Sequence, residues 1–204
     1  MNPGAGARRV TGAVLFTDLV GFTAYTEAAG DDAAVRVLDV QSALAGEVVA
    51  DHDGARIVKE LGDGLLLWFG DPDAGLSGAL AIQASVENAR CEGTLPLAVR
   101  MGLHCGEVSV RGDDLVGLTV NTAARIVALA GPGELLVSDD IAGACRDGAG
   151  RTTLEAVGPI RVKGLRDPIW LHRVAAQRAG AAAGAGWLLK ETTGPPPNQD
   201  GETT

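Results

Sequence analysis

Two aspartates in the sequence follow strand-like segments and could hold metal ions. Asp18 comes just after the apolar run 13–16, which predicts a buried strand that breaks into a turn. Asp63 lies in a second tight turn, Gly62-Asp63-Gly64, between two further strand-like runs. A lone aspartate at a strand end most often caps a helix. If the two turns meet, however, the pair could bind two divalent cations, and carboxylates suit magnesium or manganese better than zinc.

The segment after Asp18 predicts a place for an anion. Leu-Val-Gly-Phe-Thr is a turn followed by a helical segment. Backbone amides at the start of a helix are free of partners within the helix and can point at a phosphate. The amides concerned belong to Gly21, Phe22 and Thr23.

A further polar pair lies on one face of a predicted helix over residues 118–130. Asn121 and Arg125 are four residues apart and therefore project from the same side of the helix. Together they could orient a sugar and neutralise a phosphoryl group. The competing interpretation is an ordinary exposed polar face.

Lys59 and Asp114 supply a hydrogen-bond donor and an acceptor at two predicted turns. The edge of adenine has a ring nitrogen that accepts and an amino group that donates, so this pair could recognise it. The alternatives are a solvated hairpin lysine and a turn-forming aspartate. The histidines are scattered and indicate packing or surface positions rather than ligands; they are His52, His104 and His172.

Composition narrows the class of protein. The chain has 204 residues, enough for one domain with a core, and its net charge of -9 disfavours nucleic acid as a partner. No apolar stretch is long enough for a signal peptide or a membrane span, so we expect no membrane association. The three cysteines have no metal-like spacing and indicate reduced thiols in a cytoplasmic protein; they are Cys91, Cys105 and Cys145.

The order of predicted elements indicates the fold class. A strand, two helices, a hairpin, a helix, a second hairpin, a helix and further strands follow one another along the chain. This order favours an α/β (α+β) sandwich of the ferredoxin-like or palm type, in which helices cover one mixed, mostly antiparallel sheet. We expect a flexible N-terminus over residues 1–11, a catalytic domain over 12–176 and a low-complexity, disordered tail over 177–204.

Four segments, in their order and spacing, resemble the catalytic domain of class III nucleotidyl (adenylate) cyclases of the bacterial and mycobacterial type. The segments read FTDLVGFT, KELGDG, DLVGLTVNTAAR and VKGL. The resemblance extends over about residues 12–174. Each segment alone is unspecific, but the four together are highly specific.

The resemblance implies a homodimer that converts ATP to cyclic AMP and pyrophosphate with two divalent cations, Mg²⁺ or Mn²⁺, at each site. Asp18 and Asp63 match the metal-binding aspartates of the family, and the carbonyl of Leu19 would be a further ligand. Lys59 and Asp114 match the pair that selects adenine.

The resemblance also implies roles for the remaining candidates. Asn121 would face the ribose and Arg125 the α-phosphate, while Lys163 would meet the terminal phosphates. Arg111 lies near the place where a second phosphate-contacting arginine is expected, although the short turn after it departs from the longer arm of many members. Each of the two sites would combine the aspartates of one chain with the other residues of its partner.

Two other functions remain as alternatives. A non-catalytic nucleotide-binding regulator would be favoured by loss of the metal or transition-state residues, yet all of them are present. A diguanylate cyclase would carry a Gly-Gly-Asp/Glu-Glu-Phe hairpin, whereas this hairpin reads Leu-Gly-Asp-Gly. A cyclase specific for GTP would be expected to carry glutamate in place of Lys59.

Overall fold

The computed structural model describes residues 8–145, 152–161 and 167–175. These residues form eight strands and five helices around one sheet. In chain order the elements are β1 (Arg9–Leu19), α1 (Phe22–Ala29), α2 (Asp31–Ala50), β2 (Arg56–Leu61), β3 (Gly64–Phe69), α3 (Pro72–Cys91), β4 (Val99–Arg111), β5 (Asp114–Val116), α4 (Leu118–Val127), β6 (Leu135–Ser138), α5 (Asp139–Cys145), β7 (Leu154–Ile160) and β8 (Ile169–Val174).

The strands are ordered β2-β3-β1-β4-β6-β8-β7, and β5 pairs with β4. The β4–β6 pairing is parallel, and the other pairings among the described strands are antiparallel. The prediction of a mixed, mostly antiparallel sheet covered by helices is therefore confirmed. The strands β1 and β3 lie inside the sheet, which explains why both read as nearly continuous apolar runs.

Helices cover both faces of the sheet, and β1 shows which residues face which helices. Ala13 and Leu15 belong to the core cluster shared with α2 and α3, whereas Val14 and Phe16 belong to the cluster shared with α4. Successive residues of a strand alternate between its faces. Asp18 therefore lies on the α4 face of the sheet.

Two glycines of β4 allow α4 to lie directly on that strand. A Cβ atom at Gly102 would come within 2.3 Å of the backbone nitrogen of Val127, and one at Gly106 within 2.7 Å of the Thr119 hydroxyl oxygen. Any larger side chain would force the helix away from the sheet. The position of α4, and of the polar residues on its outer side, thus depends on this close contact.

The described elements differ from the predicted ones mainly at their ends. β1 begins at Arg9, so residues 9–11 belong to the sheet rather than to the predicted flexible stretch 1–11. They pair with β4, and the Arg9 guanidinium forms an ion pair with Glu107 at 2.8 Å. Composition alone suggested disorder because the partner strand is distant in the sequence. The predicted tail, 177–204, lies outside the described residues.

Candidate active site

Asp18 and Asp63 meet at one corner of the sheet. Asp18 pairs with Gly64 across β1 and β3, and the backbone amide of Leu19 donates a hydrogen bond to the Asp63 carbonyl oxygen at 3.3 Å. A Cβ atom at Gly64 would lie 2.5 Å from the Thr17 carbonyl oxygen, so the tight approach of the strands here requires glycine. The structure therefore brings together two aspartates that are far apart in the sequence.

The two carboxylates interact electrostatically. Partial burial raises the pKa of Asp63 above its usual value, and the negative charge of Asp18 raises it further. A backbone hydrogen bond and the Arg100 guanidinium act in the opposite direction. Burial and the charge of Asp18 thus oppose the ionisation of Asp63, and a bound cation would relieve that opposition.

Arg100 is a site residue that the sequence analysis missed. It lies opposite Asp18 in the β1–β4 ladder, and its Nε and Nη2 atoms are both 2.6 Å from the Oδ2 atom of Asp18. The only signal in the sequence is a charged residue within a strand that otherwise alternates well. Its partner could not be identified without the pairing of β1 with β4.

Lys59 and Asp114 also meet. The Lys59 Nζ atom donates to the Oδ2 atom of Asp114 at 2.7 Å, and each side chain is 39% exposed. The hydrogen bond from Lys59 is the main cause that lowers the pKa of Asp114 below its usual value. The donor and the acceptor proposed for adenine recognition are therefore adjacent and reachable from solvent.

A bulge in β2 determines the direction of Lys59. Ile57 pairs with Leu67, but Lys59 pairs with Leu66, so one extra residue is accommodated between them. Without this shift, regular alternation from Ile57 would turn Lys59 toward α2 and α3. The bulge instead places Lys59 on the α4 face, together with Leu66 and Asp18.

Asn121 and Arg125 project from the outer side of α4. Asn121 is exposed and Arg125 is half-buried, while the opposite side of the helix packs on the sheet. Within the described ranges, neither side chain forms a hydrogen bond or an ion pair, and so neither is bonded to Asp18 or Asp63. Exposed apolar side chains lie at both ends of the helix, with Leu118 64% exposed and Leu129 48% exposed.

The remaining predicted site residues fall into three groups. Gly21 caps α1 with a φ of 79° and no side-chain cap hydrogen bond, so the first-turn amides of Phe22 and Thr23 point out of the helix start. Arg111 lies opposite Asp114 at the end of β4 that is far from Arg100 and Asp18. Lys163 lies outside the described residues.

The donor set limits which ions the corner could hold. In the described part of the chain, no group of three or more histidine, cysteine, aspartate or glutamate side chains could hold a metal ion. Two carboxylates are the protein ligands expected of magnesium sites that are completed by substrate phosphates and water.

The sequence is similar to proteins of one known family. The sequence profile of the adenylate and guanylate cyclase catalytic domain matches residues 8–175. The pH-sensitive adenylate cyclase MT1302 of Mycobacterium tuberculosis (strain CDC 1551 / Oshkosh) is 32% identical over 93% of this chain and 46% of its own length. The putative adenylate cyclase 3 of Rhizobium meliloti (strain 1021) is 30% identical over 94% of this chain and 30% of its own length. The chain thus spans less than half the length of these relatives.

A solved structure supports the fold. The crystal structure of the adenylyl cyclase CyaB from P. aeruginosa superposes with a TM-score of 0.76, at 24% identity, over 85% of this chain and 98% of that chain. In the part of the chain that the structure describes, none of the helices is long and apolar enough to cross a membrane.

The charges of Asp18 and Arg100 act on Asp63 in opposite directions and predict opposite pKa shifts in two variants. Asp18→Asn removes a negative charge and should lower the pKa of Asp63. Arg100→Gln removes a positive charge and should raise it. Carboxyl-carbon NMR titration of the protein, without divalent ions, measures both shifts. An Asp63 pKa that is unchanged or raised in Asp18→Asn would show that the Asp63 carboxyl does not sense the charge of Asp18.

Proposed function

Since the chain belongs to the adenylate and guanylate cyclase catalytic domain family, we propose that it converts ATP to 3′,5′-cyclic AMP and pyrophosphate at sites shared by two copies of the chain. The observation that carries the proposal is the meeting of Asp18 and Asp63 at one corner of the sheet. The free thiols Cys91 and Cys105 favour a reducing compartment, and we place the activity in the cytoplasm.

Two divalent cations fit the proposed site. Asp18 and Asp63 offer hard oxygen ligands, and the carbonyl of Leu19 would be a third donor from the same strand end. Partial burial, followed by the negative charge of Asp18, raises the pKa of Asp63, and a bound cation would favour the ionised carboxylate. When bound, the cations would lower the pKa of the ribose 3′-hydroxyl and neutralise charge on the phosphates.

The protein side chains bind and orient the nucleotide. In the proposal, Lys59 donates to the adenine ring nitrogen and Asp114 accepts from the adenine amino group, so the contact between them is exchanged for contacts with the base. The first-turn amides of α1, from Phe22 and Thr23, donate to the phosphates. Lys163 would hold the terminal phosphates, as the resemblance implies.

We assign the second phosphate-contacting arginine to Arg100 rather than Arg111. Arg100 lies against Asp18, where the phosphates would share the cations. Arg111 is at the other end of β4, beside Asp114. The resemblance placed Arg111 only near the expected position, and the ladder pairing that brings Arg100 to Asp18 is not evident from the sequence.

A site shared by two chains is supported by the absence, among the described residues of one chain, of bonds between the α4 side chains and the two aspartates. Asn121 and Arg125 make no hydrogen bond or ion pair with the Asp18 corner within the described residues. Exposed apolar side chains at the end of β2, in β5 and on either side of Asn121 and Arg125 in the sequence would be covered by a second copy; they are Leu61, Val116, Leu118 and Leu129. In the proposed dimer, the aspartates of one chain meet Asn121 and Arg125 of the other.

In the reaction, the ribose 3′-oxygen attacks the α-phosphorus of the same nucleotide, and the bond from that phosphorus to the pyrophosphate oxygen breaks. Asn121 holds the ribose so that the attack is in line. Arg125 donates to the α-phosphate oxygens, where negative charge builds up in the transition state. Arg100 and Lys163 hold the pyrophosphate as it leaves.

The most direct test of the function is product formation. The purified chain is incubated with ATP or GTP and with Mn²⁺ or Mg²⁺, and cyclic nucleotides are separated by chromatography. We expect cyclic AMP and pyrophosphate in equal amounts from ATP, and little product from GTP because Lys59 is not suited to guanine. A nucleotide-binding chain that forms neither product, or a preference for GTP, would contradict the proposal.

Arg125→Ala should impair turnover far more than binding. Loss of one preorganised donor to the transition state costs about 3 kcal/mol, a fall in kcat of roughly 100-fold or more, while KM for ATP changes little. Steady-state kinetics with matched thermal unfolding curves measures this. Equal losses in kcat and in ATP affinity would instead assign Arg125 to ground-state binding.

Mixing two inactive variants tests the shared site. In a homodimer of the Asp63→Ala variant, and in one of the Asn121→Ala variant, both active sites lack an essential residue. A mixed dimer retains one intact site, so an equal mixture should recover about a quarter of the wild-type activity. Sedimentation analysis confirms that dimers form. Inactive mixtures with proven mixed dimers would mean that each site lies within one chain.

A further inference from the structure

A buried polar contact lies next to Asp18 on the opposite face of the sheet. The Gln41 Nε2 atom of α2 donates to the Thr17 Oγ1 atom at 2.7 Å, and the backbone amide of Leu65 donates to the same oxygen at 3.2 Å. Thr17 is 2% exposed and Gln41 is 3% exposed. The hydroxyl thus links α2 to both β1 and β3.

The contact is adjacent to the site in sequence and in space. Thr17 precedes Asp18, and Leu65 is two residues beyond Asp63. Neighbouring residues of a strand point to opposite faces, so the Thr17 side chain points to α2 while Asp18 lies on the α4 face. Any tilt of these strand ends about the Thr17 contact would move the carboxylates relative to each other.

A second link joins the same helix to the same hairpin. The Ser42 hydroxyl donates to the Oε1 atom of Glu60 at 2.7 Å, and Glu60 pairs with Leu65 across β2 and β3. α2 is therefore hydrogen-bonded to Glu60 before the turn that carries Asp63 and is linked through the Thr17 hydroxyl to the Leu65 amide after it. In that turn Gly62 has a φ of 67°, a conformation that favours glycine, and glycine has no side chain that could pack against the rest of the protein.

Stability alone does not account for the buried pair. A buried donor and acceptor contribute little net stability, and two apolar residues of the same shape can replace them at almost no cost. What an apolar pair does not supply is direction, because dispersion contacts tolerate small displacements that a hydrogen bond of 2.7 Å does not.

We propose that Gln41 is a positioning residue that, through Thr17, fixes the separation of Asp18 and Asp63 for metal binding and catalysis. The inference rests on the proposed function, since it concerns the geometry of that site. A displacement of about 1 Å at a reacting centre can cost roughly 100-fold in rate. The helix α2 thereby acts on the site without touching the substrate.

The test compares Gln41→Leu with the double variant Thr17→Val/Gln41→Leu. The single variant leaves a buried hydroxyl without its amide donor and should lower both Tm and kcat. The double variant removes both side-chain partners but leaves the Leu65 amide without the Thr17 hydroxyl, so its Tm should recover only part of the way toward the wild-type value. Its kcat should stay at least about 10-fold below wild type because the strand ends are no longer fixed.

Two further readouts separate positioning from stability. Mn²⁺ affinity, measured by electron paramagnetic resonance with 3′-deoxy-ATP, which cannot cyclise, should fall in both variants. Val48→Ala removes buried apolar contact from the same helix and serves as the control. It should lower Tm while leaving Mn²⁺ affinity and kcat near the wild-type values.

Two results would overturn the proposal: wild-type kcat and Mn²⁺ affinity in Gln41→Leu, or full recovery of both in the double variant. If Gln41→Leu does not fold, the double variant still decides the question. A wild-type protein without cyclase activity would contradict the proposed function, whereas the comparison of Mn²⁺ affinities would still test the role of Gln41.

Discussion

Electrostatic repulsion between two carboxylates is the constraint on which the site depends. Partial burial and the negative charge of Asp18 oppose the ionisation of Asp63, and Arg100 offsets part of that cost. Flexible loops would relax by moving the charges apart. Here one aspartate ends an inner strand and the other lies in a tight turn bonded to that strand, so the backbone keeps them together. Because the fold holds the two carboxylates close together, it favours the binding of divalent cations between them.

The two faces of the sheet have different roles, one in the apolar core and the other in the candidate active site. The face toward α2 and α3 forms most of the apolar core, while the other carries Asp18, Lys59 and the helix α4. Glycines in β4 bring α4 close, and the bulge in β2 turns Lys59 to this face. Because β1 contributes alternate residues to both faces, packing on the first face acts on charges at the second. The buried Gln41 contact with Thr17 is the clearest such link.

The sequence predicted the elements well and the contacts between them less well. Local signals in the sequence mark these elements: the acidic residues Asp31 and Asp32 and a 3.6-residue apolar pattern match α2, and Asp71 marks the start of α3, where its side chain accepts a hydrogen bond from the Ala74 amide at 2.8 Å. Such local signals do not specify which strands pair. The ion pair of Arg100 with Asp18 joins residues 82 apart in the chain, and the direction of Lys59 depends on a bulge that breaks regular alternation. Both follow from ladder register, which composition and periodicity do not encode.

The central claim, that Asp18 and Asp63 jointly hold cations on a bound triphosphate, is tested most directly by crystallography. Crystals of the chain grown with Mn²⁺ and 3′-deoxy-ATP would be measured at the manganese absorption edge. The account predicts two anomalous peaks between the carboxylates and the phosphates, with Arg100 released from Asp18 toward the nucleotide. Bound nucleotide with the two aspartates facing apart, and no anomalous density between them, would contradict it.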